Sequence, residues 1–229
     1  ERAKAAKCSA LVITLDLQIL GQRHKDLKNG LSAPPKLTPK TIANMMTKWT
    51  WGLQMLGTKN REFGNIVGHV EGISDTSQLS SWTAEQFDPA LDWDKIAKIK
   101  EMWGGKVILK GILDAEDAKM ALKVGADAII VSNHGGRQLD SVPPSIQLLP
   151  LIRAAVGPEF PLLFDSGIRN GEDIVKALAF GADFVMLGRP ALFALGAEGA
   201  VGLNALLTSF VTDITVVMAQ LGIRAIDQL

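Results

Sequence analysis

Ser132-Asn133-His134-Gly135-Gly136-Arg137-Gln138-Leu139-Asp140 is the run with the clearest chemical content in this chain. An imidazole exchanges a proton near neutral pH, which makes His134 a candidate base. The two glycines after it let the backbone turn tightly and let a planar ligand come close. Arg137 presents a planar fork that matches a carboxylate. Taken alone, a histidine before Gly-Gly reads equally well as a loop residue bonded to backbone. The weight comes from equivalent positions elsewhere: Thr14 with Asp16, Lys110, Ser132, Asp165 with Arg169, and Gly188-Arg189 all stand at the ends of short apolar runs. Charge at the end of an apolar strand is costly unless it is paired or liganded. Several such residues converging on one rim argue for a site.

The elements that must position them are the apolar runs themselves, at 11–16, 107–111, 128–133, 162–167 and 184–188. They lack period-two alternation, as expected of parallel strands buried on both faces. Amphipathic stretches with helix-start signals lie between most of them, which is the rhythm of a parallel α/β sheet. An internal repeat adds to this. Gly111-Ile112-Leu113-Asp114-Ala115-Glu116-Asp117 is echoed by Gly167-Ile168-Arg169-Asn170-Gly171-Glu172-Asp173, and Gly125-Ala126-Asp127 by Gly181-Ala182-Asp183, at one constant offset. Asp114 and Asn170 are placed to cap the helix that follows, and Gly125 and Gly181 to end it in a left-handed conformation. Two equivalent βα units, two steps apart, suit a rotationally repetitive barrel better than an open doubly wound sheet. The expected fold is therefore a (β/α)8 TIM barrel with about the last five βα units present here, and about three more supplied from the N-terminal side or by something else.

Residues 31–90 interrupt the rhythm and are much longer than a normal βα connection, so they read as an insertion or lid within one barrel domain spanning 1–229. A helix is expected over 40–56, with Ile42, Met45, Trp49, Leu53 and Leu56 on one stripe. Its Trp and Met residues, flanked by Lys40, Lys48 and Lys59, would suit a helix lying at a membrane surface, beside the plainer reading of a helix packed on its own barrel or on a neighbouring subunit. The Gly- and Ser-rich stretch 63–81 reads as an irregular lid. Helices over 198–229 are expected to seal the barrel end.

The chain has 229 residues and a formal charge of +0, with no basic cluster, which argues against nucleic acid as a partner. The single cysteine, Cys8, has no partner for a disulfide and no neighbours at metal-ligand spacing. It fits a reducing compartment, and no metal site is expected. Glu1 opens in what reads as mid-helix, so the chain is expected to be part of a longer protein.

The run 132–140, with Thr14-Leu15-Asp16, Gly21-Gln22-Arg23, Lys110-Gly111, Asp165-Ser166-Gly167-Ile168-Arg169 and Gly188-Arg189-Pro190, resembles the signature of the FMN-dependent L-2-hydroxy-acid dehydrogenases and oxidases. The resemblance covers nearly the whole chain, is weakest across 31–90, and is strongest toward the bacterial L-lactate dehydrogenases. It implies FMN as cofactor, His134 as proton acceptor with Asp16 paired to it, and Arg137 and Arg23 as clamps on the substrate carboxylate. It implies that Lys110 lies near the flavin N1–O2 edge and that Thr14 and Ser132 hydrogen-bond the isoalloxazine or ribityl chain. Asp165, Ser166, Gly167, Ile168, Arg169, Gly188 and Arg189 would hold the phosphate, where barrels usually bind one. The implied reaction is oxidation of L-lactate to pyruvate, with electrons passed to quinone or cytochrome by a cytoplasmic enzyme peripheral on the inner membrane face, as a homo-oligomer. Two alternatives stand beside it: an oxidase that reduces oxygen to peroxide, and a non-catalytic fragment or phosphate-binding half-barrel.

Overall fold

Five parallel strands lie side by side in the order in which the chain makes them: β1 (Ala10–Thr14), β2 (Lys106–Ile112), β3 (Ala128–Val131), β4 (Leu162–Phe164) and β5 (Phe184–Val185). This is a computed structural model, and it describes residues 1–19, 21, 23–30, 38–59, 64–66 and 87–229. A doubly wound sheet reverses direction at a switch point, whereas a barrel adds each strand beside the last. The unbroken order β1 to β5 is therefore an arc of a barrel, as the repeat predicts, with β1 and β5 at its two edges.

These strands belong to a compact unit made of Glu1–Gln18 and Ala90–Leu229, whose helices are α1 (Arg2–Ala5), α5 (Trp93–Trp103), α6 (Ala115–Lys123), α7 (Ser145–Val156), α8 (Gly171–Ala179) and α9 (Arg189–Leu221). The predicted caps form: the Asp114 side chain accepts from the Glu116 and Asp117 amides, and Asn170 from the Asp173 amide. Gly125 and Gly181 end α6 and α8 at φ +76° and +101°. The core lies between the central strands and these helices, where Leu109, Ile129, Val131, Leu162 and Phe164 meet Ala118, Ala121, Leu149, Ile152 and Ala177. All four residues of β3 are buried, while Phe184 on the edge strand β5 is 62% exposed, as follows from one having neighbours on both sides and the other on one.

The repeat has a second use at the strand starts, opposite the rim that carries the candidate site. Asp127 accepts from the Val107 amide (2.7 Å) and from Lys100 Nζ (2.5 Å). In the other copy Asp183 accepts from the Leu162 amide (2.7 Å) and from Arg153 Nη2 (2.7 Å). Each aspartate thus fastens the start of a strand to the helix before it, and the bottom of a barrel is where stability rather than chemistry is built. Arg153 also donates to the carbonyls of Gly157, Pro158, Phe160 and Gly181.

The helix expected over 198–229 forms the longer part of an element that starts earlier. The final long helix begins at Arg189, breaks at Glu198 and Gly199, and lies against α8. The contact is close, since a side chain at Gly171 would collide with the Phe210 backbone, and the Gly171 amide donates to Asp213 Oδ2 (3.1 Å). By length and composition α9 is apolar enough to cross a membrane (mean hydropathy 1.6). It breaks at Glu198 and Gly199, and it buries Phe210 while leaving Leu192, Phe193, Val201 and Val211 exposed.

A second compact unit comprises Ile19–Pro89. It holds α2 (His24–Lys28), α3 (Pro39–Met46) and α4 (Trp49–Gly57). The single helix expected over 40–56 is therefore two: Thr47 ends α3 and Lys48, at φ −109° and ψ 45°, leaves helical geometry before α4 starts. Thr38 supplies the first cap, accepting from the Thr41 amide. Apart from 64–66, the lid expected over 63–81 lies outside the described residues, as do Gln22 and His69.

Candidate active site

His134 occupies the 3-10 turn His134–Gly136 that follows β3, and its ring reaches across to the end of β1. Its Nδ1 lies 3.3 Å from Asp16 Oδ1, with the two side chains 25% and 16% exposed. The pairing depends on Gly111. Its φ is +101°, and a β-carbon there would stand 2.9 Å from Asp16 Cβ and Cγ. Among the described residues Asp16 Oδ2 is buried and accepts no hydrogen bond, while the Asp16 carbonyl accepts from Gln138 Nε2 (3.1 Å).

The turn is held by side chains rather than by a ladder, because residues 134, 135 and 136 all have positive φ (56°, 67° and 71°). Ser132 Oγ accepts from the His134 amide (3.1 Å) and from Lys110 Nζ (2.6 Å). Asn133 accepts from the Gly136 amide through both its carbonyl (3.0 Å) and its Oδ1 (3.2 Å). Arg189 Nη2 donates to the Gly135 carbonyl (2.8 Å), at a spot where a β-carbon on Gly135 would lie 2.7 Å from that nitrogen. Arg137 follows directly at φ −89° and ψ −14°.

Lys110 is the hub between strands. Besides Ser132 it meets Asp165 Oδ2 at 2.9 Å, and both side chains of this ion pair are 18% exposed. Thr14 pairs with Lys110 in the register of β1 and β2. Beyond the strand ends lies a cavity of ≈ 460 Å³ lined by Gly135, Gly136, Ser166, Gly167, Ile168, Arg169, Lys176 and Arg189, among others. Gly188 caps α9 on the chain just before Arg189, and the Arg169 amide donates to Asp173 Oδ2 (3.0 Å). Pairing with Glu172 holds the Lys176 ammonium above the usual lysine range, so this neighbour of the cavity stays charged.

Of the residues expected from the sequence, this arrangement brings together Thr14, Asp16, Lys110, Ser132, His134, Asp165 to Arg169 and Arg189. Arg23 belongs to the other compact unit, immediately before α2, and is described there. The sequence reading did not single out Asn133, Gln138, Ser145 or Lys176. Asn133 and Gln138 were inside the quoted run, and their polarity beside His134 was a usable signal. Ser145, the first residue of α7 and 2% exposed, gives none, because the carbonyl to which its Oγ donates (3.0 Å) is that of Asp165, 20 positions on, just past β4.

A family model described as FMN-dependent dehydrogenase matches residues 1–229. An L-lactate dehydrogenase of Acinetobacter baylyi is 43% identical over 227 residues, covering 99% of this chain and 59% of the relative. Among solved structures, the chain is similar to a monotopic membrane protein, (S)-mandelate dehydrogenase, at a TM-score of 0.88 and 35% identity, covering 95% of this chain and 57% of that one. It is also similar to a mandelate oxidase, at a TM-score of 0.73 and 34% identity, covering 99% and 56%. The chain thus spans somewhat under two thirds of the relatives it matches.

Proposed function

Because the chain belongs to the FMN-dependent dehydrogenase family, we propose that it carries the base and the cofactor cradle of an enzyme that oxidises an L-2-hydroxy acid, L-lactate first, to the 2-keto acid. The observation that carries this is the 3.3 Å pairing of His134 Nδ1 with Asp16 Oδ1, beside Arg137 and one strand away from Lys110. A base that takes a proton becomes an imidazolium, and a carboxylate already in contact lowers the free energy of that state. His134 accordingly accepts the substrate's proton while Asp16 stabilises it. Arg137 binds the substrate carboxylate through two-pronged hydrogen bonds.

The residues fit FMN. The ≈ 460 Å³ cavity combines close-approach glycines with the cations Arg169, Lys176 and Arg189, alongside the carboxylates Asp140 and Asp173, and the guanidinium groups suit a phosphate dianion. Backbone amides from Asp165 to Arg169 and at Gly188 would complete the phosphate contacts, with Thr14, Ser132 and Lys110 along the rest of the group. Bound there, FMN supplies the two-electron acceptor that no side chain provides.

Acceptance of those electrons by quinone or cytochrome at the inner face of the membrane, by a homo-oligomeric enzyme, accords with the second compact unit. On α3 and α4, Met46, Trp49, Leu53 and Leu56 are exposed, between Lys40 and Lys59. The similarity to a mandelate oxidase favours a second reading, in which oxygen takes the electrons. Turnover of L-lactate by the complete gene product, in air with and without a soluble quinone analogue, separates them. Dependence on the quinone with little peroxide is expected, and abundant peroxide without quinone would select the oxidase. Absence of flavin absorbance after FMN is added would reject the cofactor assignment.

A further inference from the structure

We propose that Ser166 is a positioning residue for the base, its hydroxyl holding the backbone on both sides of His134. This rests on the reading of His134 as proton acceptor. Ser166 has φ +83°, where a β-carbon is strained and glycine is free. The neighbouring Gly167 adopts a similar φ of +81°. A side chain kept at such a position invites the question of what it does.

The hydroxyl is used to capacity. It donates to Asp165 Oδ1 (2.7 Å) and accepts from the amides of Asn133 (3.2 Å) and Gly135 (3.1 Å). One proton and two lone pairs are all a serine offers. With the proton committed to a carboxylate, the lone pairs are aimed at the two amides. Since Ser132 Oγ accepts from the amide of His134, three consecutive N–H groups, 133 to 135, rest on two serine hydroxyls. Asp165 in turn holds Lys110 at 2.9 Å, so Ser166 joins the base-bearing turn to the ammonium at the centre of the rim. Without this hydroxyl, two amides of a turn that has no ladder partners lose their acceptor, and the backbone on either side of His134 is held less tightly at its distance from Asp16. Misplacing a reacting group by about 1 Å costs on the order of a hundredfold in rate.

The test uses the complete gene product loaded with FMN, as wild type, Ser166→Ala and Ser166→Gly. Glycine relieves the strained φ while removing the hydroxyl, so it carries the test alone if the alanine variant does not accumulate. Amide hydrogen exchange of a peptide covering 133–136, without substrate, is expected to accelerate by about tenfold or more in both variants. In steady-state assays at saturating FMN, kcat is expected to fall roughly ten- to a hundredfold, with KM within about threefold of wild type. Unchanged exchange, or a glycine variant that keeps more than half of kcat, would overturn the proposal, as would a loss confined to FMN affinity. If exchange responds but even the wild type oxidises no 2-hydroxy acid, the functional reading fails while the hydroxyl tie stands.

Discussion

Replacing Asp16 by asparagine keeps the side-chain shape and removes one charge, which makes it the sharpest perturbation of the proposed base. At the observed separation of 3.3 Å, a full charge pair is worth about 5 kcal/mol at an effective dielectric of about 20, and about 1.3 kcal/mol in bulk water. Both side chains are less than a third exposed, at 25% and 16%, so the effect lies between these limits, at about 3 kcal/mol. The attraction exists only once the imidazole has taken the proton, so its loss falls on the transition state rather than on substrate binding. That converts to roughly a hundredfold lower kcat with little change in KM. The assay is anaerobic reduction of the bound flavin by L-lactate in a stopped-flow instrument, using the complete gene product, followed by the same measurement with lactate deuterated at C2. A larger isotope effect in Asp16→Asn would place the lost energy in C–H cleavage. Retention of more than a third of the wild-type reduction rate would refute the pairing as the source of His134's competence.

Three further outcomes follow from particular contacts. Gly111→Ala places a β-carbon 2.9 Å from Asp16 at φ +101°, and should lower both kcat and thermal stability, the latter by about 1–3 kcal/mol from backbone strain, checked by melting temperature alongside the flavin-reduction rate. Arg153→Ala removes hydrogen bonds to four carbonyls and Asp183 at the bottom of the barrel. It should lower the urea midpoint by about 3 kcal/mol equivalent and leave kcat of the folded enzyme unchanged. Asp127 is held below the ordinary carboxylate range of 3.8 by its hydrogen bond from Lys100, with burial opposing and the Val107 amide assisting. A depressed pKa contributes stability that is present above the unfolded value and lost as pH falls through the folded one. Denaturation midpoints of the wild type should therefore drop as pH is taken below about 4, and Asp127→Asn should show a shallower drop.

Much of this architecture follows from local rules that short stretches of sequence carry. The polar residue that caps a helix, the glycine that ends it and the apolar strand between are local choices. For that reason the repeat around Asp114 and Asn170 predicted the βα units and, through them, the barrel. The run 132–140 likewise marked His134 and Arg137 as candidates, in the proposed reading a base and a carboxylate clamp. Local rules failed where a break costs little, as at Thr47-Lys48, where the apolar stripe continues but the backbone leaves the helix.

Which residues stand at the strand ends is legible along the chain, because a strand's length and its terminal polar residue are contiguous. Which of them meet is settled by the fold. Asp16 and His134 are 118 positions apart, and their contact exists because β1 and β3 flank β2 and Gly111 leaves room for a carboxylate. Asn133 and Ser166 are 33 positions apart, and the hydroxyl that holds the base-bearing turn is visible only once β3 and β4 are paired. Distances between strands are set by sheet register and the packing behind it, quantities to which the whole chain contributes and which no single motif contains.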